Sequence, residues 1–204
     1  MRITIILTQS AIWGQTVSPN RMVEKLGFYQ EMTVEIIVTE RLILRSVSDS
    51  DLDKLYDIVF SDAEVMSQAF DGKPLSRAQA ADFFARSFDH DGNGMQLAAL
   101  MLKGSGTVIG FAGLLESTAL GKQDFEIGFV LGREYWGRGY ATEIGLAQIE
   151  YGLVQKNCSR LLAFVSPQNE ASKSALLKIG MEHHANIETS SRGMRDVYIV
   201  QRER

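Results

Sequence analysis

From residue 33 onward the chain alternates between two hydrophobic periods, and the switches between them predict its elements. The stretch 34–47, "VEIIVTERLILRSV", is rich in Ile and Val and reads as extended structure. In "SDSDLDKLYDIVF", Leu52, Leu55, Tyr56 and Val59 recur at the spacing of one helix face, with Ser50 as cap and Asp53 behind it. A second helix, "LSRAQAADFFARSF", opens with Ser76 and Gln79 in a capping-box pattern. It sets Ala80, Phe83, Phe84 and Phe88 on one side. The loop "DHDGNG" carries strong turn chemistry. Two strands follow, "MQLAALML" and "TVIGFAGLLE", joined by the hairpin signal "KGSG".

The next strand, "DFEIGFVL", has period two: Phe125, Ile127, Phe129 and Leu131 point one way, Glu126, Gly128 and Val130 the other. A long helix from about Ala141 to Gln155 comes after it, with apolar positions on more than one stripe, so much of its surface is expected to be buried. "RLLAFV" is a further strand, parallel to "DFEIGFVL" because a helix joins them. A short helix, "NEASKSALLKIG", has Asn169 as cap and Gly180 as its left-handed stop. "HHANIET" and "RDVYIVQ" close the chain as a hairpin around "SSRG". The order predicts an α+β fold, a mixed, mostly antiparallel sheet flanked by helices, with no doubly wound repeat.

Between strand and long helix stands "EYWGRGYATEIG", where Gly137 and Gly139 flank Arg138. A helix start exposes unpaired backbone N–H groups and the positive end of the helix dipole, and phosphates bind there readily. Glycines let the backbone turn these N–H groups inward and keep side chains out of the way. One reading is therefore a pyrophosphate cradle over residues 137–142; the other is a tight turn. No G-K-[ST] follows, which excludes a P-loop, and the third glycine and ribose-binding acid of a dinucleotide fingerprint are missing.

Composition removes several classes. A net charge of −4 and a pI of about 5.4 argue against a general nucleic-acid binder. Cys158 is the single cysteine, so no disulfide forms within the chain and a reducing compartment is expected. With His90, His183 and His184 it makes no metal-ligand spacing, and no metal is expected. No stretch approaches the ~20 apolar residues of a membrane span. The N-terminal apolar run is broken by Thr8, Gln9 and Ser10 with no clean cleavage site after it, so the chain reads as cytoplasmic.

Four segments in order resemble the GNAT N-acetyltransferases, and within them the ribosomal-protein N-terminal acetyltransferase branch. They are "TERLILRSVSDSDLDKLYDIVFSD", "DFEIGFVLGREYWGRGYATEIG", "SPQNEASKSALLKIGM" and "GMRDVYIVQR", and the likeness spans residues 33–204. It implies that "IGFVL" splays away from "LLAFV", with the pantetheine arm of acetyl-CoA, the co-substrate, in the gap. The arm would pair with backbone near Phe129, Val130 and Leu131, and the pyrophosphate would sit on Trp136, Gly137, Arg138, Gly139, Tyr140, Ala141 and Thr142. Glu134 departs from the usual Gln/Arg at the head of that signature, and either Arg133 or Arg138 would supply charge.

Direct acyl transfer from a thioester to an amine needs a base, an oxyanion donor and a donor to the leaving thiolate, and no enzyme nucleophile. Glu126 is the base candidate, directly or through a water, at a position where the family often has a carboxylate; its other reading is a solvent-facing strand glutamate. Backbone N–H near Phe129 or Val130 would serve the oxyanion. The tyrosine many members use in the last helix falls on Leu176 here, and the branch's Asn-x-x-Ser is found as Asn169 and Ser172. Ser172 would then face the thiolate and Asn169 the pantetheine; the plainer reading is a helix cap and a first-turn serine. His183, His184, Cys158 and Tyr135 read as packing or surface.

The expected function is acetyl-CoA-dependent transfer to a primary amine, either a protein N-terminus or a small amine. A non-catalytic acyl-CoA-binding or regulatory module on the same fold, or a phosphate-binding protein of another fold, are the alternatives. No membrane or nucleic-acid partner is expected. Residues 1–31 read as an extension to the domain at 32–204. "VSPNRMVEKLGF" echoes "VSPQNEASKSALLKIGM", which suggests the remnant of a second copy, a misassigned start upstream of Met32, or chance.

Overall fold

The computed structural model describes residues 4–5, 33–70, 72–189 and 193–202. Apart from Thr4–Ile5, the N-terminal segment with its echo lies outside the described residues. The stretch read as one extended run is two strands, β2 (Glu35–Val38) and β3 (Leu42–Arg45), folded into a hairpin at residues 39–41. The turn is closed by Thr39, whose amide donates to the Leu42 carbonyl at 2.9 Å and whose hydroxyl accepts from the Leu42 amide at 3.0 Å.

Three helices follow: α1 (Asp51–Leu55), continued by a π-helical turn at Tyr56–Phe60, α2 (Ala63–Met66) and α3 (Arg77–Ser87). The expected Ser50 cap is not made; Ser50 meets the Ser48 hydroxyl instead. Asp51, inside the first turn, reaches back to accept the Ser48 amide ahead of the helix at 2.8 Å, while Arg45 grips both of its oxygens at 2.7 and 2.9 Å. The capping box at Ser76 and Gln79 is formed in full.

β4 (Leu97–Leu102), β5 (Val108–Ser117) and β6 (Asp124–Leu131) make an antiparallel meander. A 3-10 turn at Arg133–Tyr135 and the two glycines lead into α4 (Tyr140–Glu150), whose last turn is π-helical, Tyr151–Gln155. α4 is less buried than its apolar content suggested: Leu146 is 50% exposed, and Val154, in the π turn, 60%. β7 (Arg160–Val165), α5 (Glu170–Lys178), β8 (Glu182–Thr189) and β9 (Gly193–Gln201) complete the chain, and Gly180 takes its left-handed stop at φ +85°. The strand order is β2-β3-β4-β5-β6-β7-β9-β8, antiparallel except for the β6–β7 pair; the short strand β1 (Thr4–Ile5) joins β6 off that path.

Alternation along each strand supplies both faces of the sheet. Ile127, Phe129 and Leu131 pack with Ile144 of α4 and Leu176 of α5. Val130 points the other way, into a cluster with Leu55, Val59, Phe60, Phe83, Phe84, Phe88 and Phe111. There Phe60 meets Phe83 edge-on at 5.8 Å, and Phe88 meets Phe111 at 5.2 Å. α4 and α5 thus cover one face and α1–α3 the other.

Candidate functional site

β6 and β7 are held together at one end only. They pair in parallel at Phe125↔Leu161 and Glu126↔Leu162 and no further. The closed end is clamped by Asp124, which takes two hydrogen bonds from Arg160 at 2.7 and 2.6 Å in a largely buried pair. That contact raises the Arg160 pKa. Beyond Glu126 the strands part, as the resemblance implied. β5 pairs with every residue of β6 from Asp124 to Leu131, so only the β7 side of β6 faces the gap. That side is taken at Phe129 and Val130 by β1, in antiparallel register with Ile5 and Thr4.

At the open end stands the glycine turn. Gly137 and Gly139 have φ of +73° and +81°, a left-handed backbone that strains any other residue. A Cβ at Gly137 would meet nothing within 4 Å, so its glycine answers to backbone conformation and not to crowding. Gly139 caps α4 with no side-chain hydrogen bond to the helix, which leaves the first-turn amides of Tyr140, Ala141 and Thr142 without that partner. Such an uncapped, glycine-opened helix start fits a pyrophosphate.

The turn is fastened by residues that sequence reading did not single out. Arg41 donates through Nη1 to the Arg138 carbonyl at 3.0 Å, lies 4.7 Å over the Tyr140 ring, and pairs through Nε with Glu143 at 2.6 Å. Glu143 also accepts the Arg41 amide at 2.9 Å and the Thr39 hydroxyl at 2.6 Å. Burial pushes the Glu143 pKa up, but the hydrogen bonds from Thr39 and Arg41 outweigh it, and the net direction is down. The available signal was the helix-start position of Glu143, a carboxylate favoured by the dipole. Gln148, buried in α4, donates to the Gly113 and Gly128 carbonyls at 2.7 and 3.2 Å and so sets the helix against β5 and β6.

Of the two arginines offered for charge, Arg133 is engaged: it bonds Glu64 at 2.8 Å and lies 3.3 Å from Asp62. The Glu64 hydrogen bond leads in raising its pKa. Arg138 is exposed, and among the described residues its side chain has no ion pair. Trp136 donates from its indole to the Leu131 carbonyl at 2.8 Å, which makes the tryptophan a buttress at the end of β6.

Glu126 is fully buried, so the solvent-facing reading is wrong: α1–α3 cover the face to which it points. Ser172 is also fully buried and Asn169 nearly so. The Asn169 side chain accepts the Ser172 amide at 3.0 Å, which makes it the expected cap of α5. Glu126 approaches from one face of the sheet and α5 packs on the other. Burial pushes the Cys158 thiol up, which suits packing and not attack. His183 and His184 are exposed on β8, two strands removed from β7, and Leu176 is a core residue.

A family model described as "Acetyltransferase (GNAT) domain" matches residues 41–182. The chain belongs to the GNAT acetyltransferase family. It is accordingly an enzyme of the acyltransferase class. Among its relatives, an uncharacterized N-acetyltransferase, p20, of Bacillus licheniformis is 31% identical over 151 residues, 73% of this chain and 83% of that one. A GNAT-family acetyltransferase crystal structure from Bacillus anthracis superposes with a TM-score of 0.69 at 22% identity, over 83% of this chain and 98% of that one. The spermidine N-acetyltransferase of Vibrio cholerae, solved with CoA and spermine, gives 0.64 at 14% identity, over 80% and 96%. At these identities the structural neighbours show the GNAT fold. Among the described residues no helix is long and apolar enough to cross a membrane.

Proposed function

We propose that residues 32–204 form a cytoplasmic N-acetyltransferase domain that moves an acetyl group from acetyl-CoA directly to a primary amine. The observation that carries this is the junction of a half-open parallel pair with an uncapped, left-handed glycine turn. The edge of β6 at Phe129, Val130 and Leu131, with Asn169, would hold the pantetheine arm. Trp136 to Thr142 would surround the pyrophosphate, and Arg138, unlike Arg133, has its charge available for it. Bound acetyl-CoA supplies the acetyl group already activated as a thioester, so nothing covalent is asked of the chain.

Glu126 accepts the proton that the amine must lose, directly or through a water. A backbone N–H near Phe129 or Val130 donates to the carbonyl oxygen as it gains charge. The Ser172 hydroxyl donates to the departing sulfur. The pair Asn169 and Ser172 supports the ribosomal-protein N-terminal branch, with a protein N-terminus as acceptor. The spermidine enzyme from Vibrio cholerae keeps a small polyamine as the competing class.

Calorimetric titration with acetyl-CoA, CoA and ATP, on the wild type and on Gly137→Glu, tests the reading. Micromolar binding of the CoA species, lost in the variant and absent for ATP, is expected; failure of CoA to bind refutes it. Binding without turnover across an amine panel would leave a non-catalytic acyl-CoA module.

A further inference from the structure

We propose that strand β1 is an internal competitor for the acetyl-CoA cleft, so that the cofactor must displace Thr4–Ile5 to bind. This rests on the cofactor reading above and adds regulation to it. β6 has one backbone edge that its sheet neighbours leave open, the side facing β7 beyond Glu126. An open edge presents unpaired N–H and C=O groups, and an extended segment that adds to it satisfies them. Thr4 and Ile5 do this opposite Val130 and Phe129. The added strand also lies against β7 and α5, so it spans the width of the gap.

Its direction matters as much as its place. Because β1 is antiparallel to β6, it runs from the glycine-turn end of the cleft toward the Glu126 end. That is the line an extended pantetheine arm would follow between a pyrophosphate at residues 136–142 and an acetyl group near Glu126. The Gly132 amide bonds the Ile109 carbonyl beside β5, so by alternation Val130 turns its backbone groups to β5 and Phe129 turns its own to the gap; both occupants would draw on the Phe129 groups, and a strand edge accepts one ladder at a time. A two-residue ladder is short enough for a ligand to displace. While it is formed, the measured affinity falls in proportion to the fraction of molecules whose cleft is free.

The test uses the full chain with Thr4→Pro and Ile5→Pro together. Proline removes the backbone N–H groups that a strand offers its neighbour. Acetyl-CoA is titrated calorimetrically into both proteins, and hydrogen exchange is followed at Gly128–Leu131. The expected result is about tenfold tighter binding by the double variant. The amides on the gap side should lose protection in the variant and regain it with acetyl-CoA. Equal affinities in the two proteins would overturn the competition while leaving the cofactor reading intact. Weaker binding by the variant would also overturn it, making β1 part of the site. If neither protein binds acetyl-CoA, the cofactor reading fails and the competitor falls with it.

Discussion

Replacing Glu143 by alanine removes the carboxylate that joins the β2–β3 hairpin to the glycine turn. Three donors lose their acceptor: the Thr39 hydroxyl, the Arg41 amide and the Arg41 guanidinium. Their surroundings decide the size of the loss. Arg41 is 45% exposed on its side chain against 16% for Glu143, so the ion pair itself is worth about 0.5 kcal/mol. The hydrogen bonds to a charged and mostly covered carboxylate contribute more, and the sum expected for alanine is about 1–2 kcal/mol. For a chain of this size that lowers Tm by about 3–6 °C. Glu143→Gln keeps an acceptor oxygen and gives up the charge, so it should cost about 0.5 kcal/mol. The pH dependence has a definite sign. The folded pKa lies below the ordinary value of 4.5, so the contribution is present above that value and is lost as pH falls through the folded one. Wild type and alanine variant should therefore differ in stability at pH 7 and draw together in acid. Freed from Glu143, Arg41 should also hold the Arg138 carbonyl less well, and acetyl-CoA affinity should fall several-fold. Thermal melts at pH 7 and in steps downward from pH 4.5, with calorimetric titration, read all of this. An alanine variant with unchanged Tm and unchanged affinity would refute the reasoning; a glutamine variant as damaged as alanine would mean that charge, and not hydrogen bonding, holds the turn.

Three further substitutions separate catalysis from architecture. Glu126→Gln should lower kcat by about 10²–10⁴ with acetyl-CoA affinity unchanged, read by steady-state turnover beside calorimetry. Asp124→Asn breaks the clamp at the closed end of the β6–β7 pair and leaves Arg160 without its charge partner, which should cost about 3 kcal/mol in urea unfolding. Phe60→Ala empties the centre of the aromatic cluster and should cost about 3–5 kcal/mol, with acetyl-CoA affinity at low temperature retained in the folded fraction.

The periodic elements were legible because one residue pattern decides each of them. Phe129 and Val130 fall on opposite faces as the period-two pattern requires, and Ser76 and Gln79 form their box because both partners lie within a single turn. The readings that failed or stayed open share one cause: the deciding partner stood elsewhere in the chain. Ser50 has the right chemistry for a cap, yet its hydroxyl meets that of Ser48, whose amide bonds the Asp51 carboxylate that Arg45, on a strand, fixes. Arg133 and Arg138 are equivalent as letters near a phosphate loop, and only the helix carrying Asp62 and Glu64 distinguishes them.

Glu126 belongs to the same class of problem. Its alternation against Phe125 gave the face, but burial of that face depends on α1–α3, which pattern alone could not dock. The glycine turn stands between these cases: its left-handed backbone follows from Gly137 and Gly139, while its anchorage by Arg41, across nearly a hundred residues, does not. A site assembled from a local turn and distant fasteners is therefore legible as chemistry before it is legible as geometry. The same holds for its most consequential neighbour, since no pattern in β6 announces that the open edge at Phe129 and Val130 is met by Thr4 and Ile5.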